Sequence, residues 1–142
     1  MVIAVDFDGT IVEHCYPEIG KERMFAFQTL RMIQAEGHIL ILWTIRHGKE
    51  LDDALAFCKK NGIEFYAANQ NYPEEDFDNT SSRKINADIF IDDRNIGGFI
   101  GWGEIWQEII KIAPTSKEYN NFGRKNIITK PTLWQRLFGT KQ

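Results

Sequence analysis

The chain is poor in cysteine, has no long hydrophobic run and shows no excess of positive charge. Its two cysteines, Cys15 and Cys58, are not linked by a metal-binding spacing, and we predict two free thiols in an intracellular protein. No apolar run approaches the ~18 residues of a membrane-spanning helix, and no basic stretch followed by an apolar core begins the sequence. We therefore expect a cytoplasmic protein with no membrane partner.

The net charge of −3 gives no reason to expect nucleic acid as a partner, but the charge is unevenly distributed. Residues 115–142 hold six Lys or Arg and one acidic residue, a charge of +5 that leaves −8 for residues 1–114. Aspartates clustered at a metal site would account for part of that acidity. The length of 142 residues predicts one domain, with a core over about 1–114 and a C-terminal extension that packs on the core or on a partner.

Apolar runs alternate with amphipathic segments along the first hundred residues. Helices are predicted where apolar residues recur at helical spacing, and strands where short apolar runs occur: strands at 2–5, 38–44, 63–66 and 87–92, helices at 21–36 and 49–60. Alternation of strand and helix at this spacing is typical of parallel pairing with right-handed crossovers. The sequence therefore predicts an α/β fold of three layers, Rossmann-like, with a mainly parallel central sheet.

Two carboxylates follow the first predicted strand at a spacing of two residues. Side chains of alternate residues share one side of an extended chain, so Asp6 and Asp8 project together, about 7 Å apart. Gly9 permits a tight departure at the carboxyl end of the strand, which is where open α/β sheets place their sites. Because such a pair needs a counter-charge, the arrangement predicts a site for a cation and a phosphate.

Polar residues also stand at the ends of other predicted strands. Thr44 ends the second, Asp92 and Asp93 follow the fourth, and Lys84 lies eight residues before Asp92. The carboxyl ends of parallel strands face one edge of a sheet, so residues far apart in sequence are expected to converge there.

Taken in chain order, these residues resemble the signature of the haloacid dehalogenase superfamily: DxDx(T/V), then a strand-end Ser or Thr, then Lys, then a strand-end acidic pair. The match spans about residues 1–100 and consists of Asp6, Asp8, Thr10, Thr44, Lys84, Asp92 and Asp93. Larger members carry a cap domain in one of two insertions, but the corresponding stretches here, 11–22 and 67–82, are too short for a domain. The resemblance implies a member with no separate cap, or with a minimal one.

The resemblance also implies an enzyme, a Mg²⁺-dependent phosphomonoester hydrolase acting on a small-molecule phosphate ester. Asp6 is then the nucleophile that forms an aspartyl-phosphate, while Asp8 protonates the leaving oxygen and later deprotonates the attacking water. Thr44 binds a phosphoryl oxygen, and Lys84 supplies positive charge to the nucleophile and the phosphate. The presence of Asp8 favours a phosphatase over a dehalogenase, since a halide leaving group needs no proton.

The metal in this scheme lies among the Asp6 carboxylate, the Asp8 backbone carbonyl and the Asp92 carboxylate. Adjacent side chains of an extended chain point in opposite directions, so Asp93 is predicted to stand behind the ligands unless the chain turns between the two aspartates. Thr10 is predicted to support the acid/base residue or to cap a turn.

Arg46, two residues beyond Thr44, is open to two interpretations. It either clamps a substrate carboxylate or second phosphate, or is a solvated surface arginine.

Two rival functions are also open. A response-regulator-like receiver uses Asp, Thr, Lys and Mg²⁺ as well, but its acidic pair is on the first strand and its phosphorylated Asp on a central one, the reverse of the order here. The other rival is a non-catalytic phosphate-binding regulatory protein. The identity of the phosphate ester stays open, and an uncovered site is compatible with a homo-oligomer.

Overall fold

The computed structural model describes residues 1–76 and 82–113 of the chain. The C-terminal extension predicted for residues 115–142 lies outside the described residues, and so does the part of the predicted polar loop at 77–81.

The described residues form one parallel sheet of four strands in the order β3-β2-β1-β4. The strands are β1 (Val2–Val5), β2 (Ile39–Leu42), β3 (Ala67–Ala68) and β4 (Ile89–Ile91). Residues of β1 pair with β2 on one side and with β4 on the other, so β1 is central. The predicted α/β fold with a parallel, Rossmann-like sheet and no separate cap is confirmed.

Three helices accompany the sheet: α1 (Ala26–Ala35), α2 (Gly48–Lys60) and α3 (Trp102–Ile112). The first begins later than the predicted residue 21, because Glu22 forms a bridge with Val12 and the Arg23 amide donates to the Ile11 carbonyl, which holds these residues extended. Within 1–76 and 82–113, none of the helices combines the length and hydrophobicity that crossing a bilayer requires.

The third strand lies further along the chain than the predicted range 63–66. The Ile63 amide still donates to the Cys58 carbonyl at the end of α2, so this residue belongs to the helix terminus. The Tyr66 amide donates to the Leu40 carbonyl, and the paired strand then runs over Ala67–Ala68. The ladder with β2 therefore begins only where the predicted strand ends.

The two faces of the sheet are covered differently. Ile3 and Val5 of the central strand join one buried cluster with residues from all three helices, including Leu30, Cys58 and Ile105. The opposite face carries a smaller cluster, which in the described part of the chain is completed by the segment around Ile85 rather than by a helix. Burying a side chain such as Leu30 contributes roughly 2 kcal/mol, so the helical face supplies most of the hydrophobic stabilisation.

The strand order reverses beside β1. The chain steps from β1 to β2 and β3 in one direction, and β4 then adds to the other side of β1. The Asp6 amide donates to the Ile91 carbonyl at 2.9 Å, which joins the carboxyl ends of β1 and β4. At such a reversal the loops that follow the two strands diverge and leave a crevice, the usual binding position in open α/β sheets.

Candidate functional site

Three aspartates meet in this crevice. Asp6 follows β1, Asp92 and Asp93 follow β4, and one carboxylate oxygen from each lies within 4.8 Å of the others. Asp6 and Asp92 are two of the predicted metal ligands. The backbone carbonyl of Asp8, the third, stays a prediction.

Asp93 meets the condition under which the sequence allows both aspartates to face a metal, because the chain turns beside it. Strand β4 ends at Ile91 and the chain turns at residues 93–94, so the alternation of side chains along an extended strand no longer applies. The turn brings the Asp93 carboxylate to the same side as that of Asp92. Its Oδ2 lies 2.7 Å from Nε2 of His14, whereas its Oδ1 is buried without a hydrogen-bond partner.

The three aspartates concentrate negative charge in this cluster. The pKa of Asp6 is raised to about 7, chiefly by burial. The negative charges of Asp92 and Asp93 also raise it, while hydrogen bonds from the Phe7 backbone and Thr10 act in the opposite direction. A buried carboxylate oxygen without a partner costs about 1–3 kcal/mol, and Asp93 Oδ1 is such an atom. Three converging carboxylates fit a hard divalent cation that prefers oxygen ligands.

Thr10 holds two of these aspartates in place. Its hydroxyl donates to Asp6 Oδ2 at 3.1 Å and accepts the Asp93 amide at 3.0 Å. The indole N–H of Trp102 donates to the backbone carbonyl of Thr10 at 2.9 Å, and Thr10 is fully buried. The prediction that Thr10 supports the acid/base residue is corrected, because its partners are the nucleophile candidate and Asp93.

Gly9 is required by the close approach of the chain to this cluster. Its φ of +92° is in the left-handed region, and a Cβ placed on it would lie 2.3 Å from both Asp93 Oδ2 and His14 Nε2. The predicted tight departure after β1 is confirmed, and its purpose is to let the first loop pass beside Asp93.

Asp8 is paired with Arg46, and the interpretations of Arg46 as a substrate contact or a solvated arginine are both wrong. Its guanidinium donates from Nε to Asp8 Oδ2 and from Nη2 to Asp8 Oδ1, each at 2.7 Å. The arginine is 0% exposed and Asp8 6%. Hydrogen bonds to Asp8 raise the pKa of Arg46, so this side chain is a permanent buried cation.

The turn after β2 directs Arg46 inward, and Asn69 fixes that turn. The Asn69 side chain accepts the Thr44 amide at 2.8 Å and donates to the Arg46 carbonyl at 3.1 Å. Asn69 has a φ of +55°, a conformation that Asn adopts more readily than most residues. No local sequence pattern indicates that Asn69 belongs to the site, whereas His14 is expected near its rim as an ordinary polar loop residue and instead contacts Asp93.

A cavity of about 180 Å³ opens beside the cluster. Its lining consists of Asp6, Asp8, Trp43, Thr44, Ile45, Asp92 and Arg94. The Thr44 hydroxyl oxygen accepts the Arg46 amide at 3.2 Å, which leaves its own hydrogen to donate into the cavity, and phosphate binding by Thr44 stays a prediction. The exposed Arg94 supplies a cation at the rim.

Lys84 is not brought to Asp6. Its side chain is exposed, and Nζ lies 5.6 Å from the centroid of the Phe90 ring. Phe90 packs on the face of the sheet away from the helices, so Lys84 extends over that face rather than to the carboxyl edge. The predicted contact of this lysine with the nucleophile is not formed in the structure.

The fold and the edge site together define a cap-free, Rossmann-like α/β protein with an acidic centre at the strand reversal. No protein-family model matches the chain, and no curated protein matches it. A solved structure, that of the conserved protein coded by a locus from Bacteroides thetaiotaomicron, is 49% identical, with a TM-score of 0.75, over 92% of this chain and 98% of the other. The chain belongs to the same family as this Bacteroides protein.

Proposed function

We propose that the protein is a Mg²⁺-dependent phosphomonoester hydrolase that works through an aspartyl-phosphate on Asp6. The observation that supports this most is the convergence of Asp6, Asp92 and Asp93 within 4.8 Å, beside a cavity that Asp8 and Thr44 also line. This reaction needs a group of metal ligands, a nucleophile, a residue that carries a proton, and a hydrogen-bond donor to the phosphate.

The residues that would hold Mg²⁺ are Asp6, Asp92 and Asp93. When bound, the cation supplies the positive charge that offsets the repulsion between these carboxylates and the phosphate dianion. The buried, unpartnered Oδ1 of Asp93 and the raised pKa of Asp6 both support a cation at this place.

The reaction proceeds in two displacements at phosphorus. In the first, a carboxylate oxygen of Asp6 forms a bond to phosphorus while the bond to the leaving oxygen breaks, and protonated Asp8 transfers its proton to that oxygen. In the second, water attacks phosphorus and gives a proton to Asp8, the bond to Asp6 breaks, and inorganic phosphate leaves. Asp6 and Asp8 both return to their starting states.

The phosphate itself is bound by groups that line the cavity. The Thr44 hydroxyl donates to a phosphoryl oxygen, and the Arg94 guanidinium at the rim offsets its charge. A contribution from Lys84 requires its side chain to leave the ring of Phe90. We therefore assign the larger share of substrate charge neutralisation to Arg94.

The test is phosphate release from p-nitrophenyl phosphate in Mg²⁺ and in EDTA. Wild-type protein is expected to turn over many equivalents in Mg²⁺ and none in EDTA, and Asp6→Asn is expected to be inactive. Asp52→Asn, the same chemical change at an exposed position of α2, is the matched control and keeps full activity. Acid quenching during turnover is expected to trap phosphate on the wild-type protein.

Three outcomes would contradict the proposal. Activity that survives in Asp6→Asn removes the assigned nucleophile. A single stoichiometric phosphorylation that persists for hours without phosphate release indicates a receiver-like module, and Mg²⁺-dependent phosphate binding with neither phosphorylation nor turnover indicates a regulatory binding protein.

A further inference from the structure

We infer that Arg46 is the positioning residue that fixes the Asp8 carboxylate for proton transfer, a role that rests on the proposed function. Both Asp8 oxygens accept a hydrogen bond from the same guanidinium, each at 2.7 Å. Two parallel bonds from a planar donor define the plane and rotation of a carboxylate, which a single bond leaves free. The arginine therefore decides where the Asp8 oxygens point.

The Arg46 guanidinium is itself fixed by hydrogen bonds and by aromatic contacts. Nη1 donates to the Pro17 carbonyl and Nη2 to the Glu18 carbonyl, each at 2.8 Å. Its guanidinium carbon lies 4.9 Å from the ring centroid of Phe7 and 5.2 Å from that of Tyr16. Because the arginine is 0% exposed and does not line the cavity, it acts through Asp8 rather than on the substrate.

The consequence for catalysis depends on the leaving group. A misplacement of about 1 Å in a reacting group costs on the order of 100-fold in rate, and a proton donor matters most when the departing oxygen is strongly basic. A weakly basic leaving group such as p-nitrophenolate departs with little help. Loss of Arg46 is therefore expected to impair hydrolysis selectively, according to the basicity of the leaving group.

The experiment compares wild type, Arg46→Lys and Asp8→Asn over a series of phosphate monoesters from p-nitrophenyl through phenyl to alkyl phosphate, all in Mg²⁺. For Arg46→Lys, kcat/KM is expected to fall about 10- to 100-fold on the alkyl ester and by less than about threefold on the p-nitrophenyl ester. Asp8→Asn is expected to give the same graded pattern with a larger loss. Arg31→Lys, at an exposed arginine of α1 that donates to a backbone carbonyl, is the matched control and leaves all rates unchanged.

A double variant tests the same role without leaving a buried charge unpaired. Asp8→Asn combined with Arg46→Met removes both charges, so it is expected to fold even if Arg46→Lys does not. If Arg46 acts only through Asp8, the double variant has the same kcat/KM as Asp8→Asn alone. A further loss in the double variant overturns the inference.

A loss of kcat/KM in Arg46→Lys that is equal for all esters also overturns the inference, since a general structural role lowers every rate alike.

Failure of the proposed function itself gives a different result. In that case the wild-type protein releases no phosphate from any ester of the series, and the role of Arg46 falls with it.

Discussion

Replacing Asp6 by Asn is expected to stabilise the protein without divalent cations and to remove its stabilisation by Mg²⁺. Burial, aided by the charges of Asp92 and Asp93, raises the pKa of Asp6 from 3.8 to about 7. Between these values the folded protein keeps a proton that the unfolded chain has released. The free energy of unfolding therefore falls as the pH rises from about 4 to about 7, and above pH 7 the destabilisation is complete.

The size of this effect follows from the shift. About three pKa units at 1.36 kcal/mol each give about 4 kcal/mol, an upper limit because Asp6 keeps some contact with solvent. In the variant the amide oxygen can still accept the hydrogen bond from Thr10. At pH 8 in EDTA we expect Asp6→Asn to unfold roughly 5 to 15 °C above wild type, given about 4 °C per kcal/mol for a domain of this size. At pH 4 the two proteins are expected to unfold together.

Magnesium is expected to offset a large part of this difference in stability in neutral solution. A ligand at 100 times its Kd stabilises the folded state by about 2.7 kcal/mol. The affinity of the wild-type protein for Mg²⁺ should fall about tenfold per pH unit below 7, because a proton competes with the cation for Asp6. Thermal unfolding followed by circular dichroism from pH 4 to 8, in EDTA and in Mg²⁺, measures both effects. Asp52→Asn is the control for loss of one exposed charge.

Two results would refute this reasoning. One is a wild-type protein whose stability in EDTA, relative to Asp6→Asn, does not decline between pH 4 and 7. The other is a Mg²⁺ stabilisation that persists in Asp6→Asn, which would place the cation elsewhere.

Three further substitutions test separate parts of the site. Gly9→Ala is expected to lower the free energy of unfolding by about 1–3 kcal/mol, because its Cβ would lie 2.3 Å from Asp93 and His14 at a φ of +92°; an unchanged urea midpoint contradicts this packing. Arg94→Gln is expected to raise KM for phosphate esters about tenfold or more at constant stability, and an unchanged KM assigns the substrate's charge to another cation. Thr44→Val is expected to lower kcat/KM about fivefold, whereas equal rates would exclude its hydroxyl from phosphate binding.

The parts of the fold that could be predicted are those in which local sequence and burial agree. Strands β1 and β2 are continuous apolar runs, as expected of parallel strands covered on both faces. Ala67–Ala68 carries no such signal, because two alanines do not make a distinct apolar run, although they pair with β2. Helix α3 did have a signal, because Trp102, Ile105 and Ile109 recur at helical spacing and are its buried residues.

The acidic centre could be predicted in part for a similar reason. Asp6 and Asp92 stand at strand ends, and a parallel sheet brings strand ends to one edge whatever the loops do. Asp93 could not be placed by that rule, because its direction depends on a turn rather than on strand alternation. His14 contacts Asp93 across 79 residues of sequence, and no local pattern indicates a contact of that kind.

Arg46 shows most clearly what a sequence motif leaves undetermined. Its distance from Thr44 is fixed by the sequence, but the turn that carries it is held by Asn69, a residue 23 positions away. An arginine that turned outward would meet the substrate, whereas this one turns inward and meets Asp8. The turn held by Asn69 and the buried partners of the guanidinium together set this direction.

The two aspartates of the first motif thus have counter-charges of different origin. Asp8 is neutralised within the chain, by an arginine that is fully buried and makes two hydrogen bonds to it. Asp6 lies beside Asp92 and Asp93, and its pKa is raised mainly by burial and further by their negative charges. Two residues apart, one carboxylate is paired with a buried cation and the other lies among carboxylates. Environments that differ in this way give like groups different needs: Asp8 already has a cation within the chain, whereas Asp6 stands among further carboxylates.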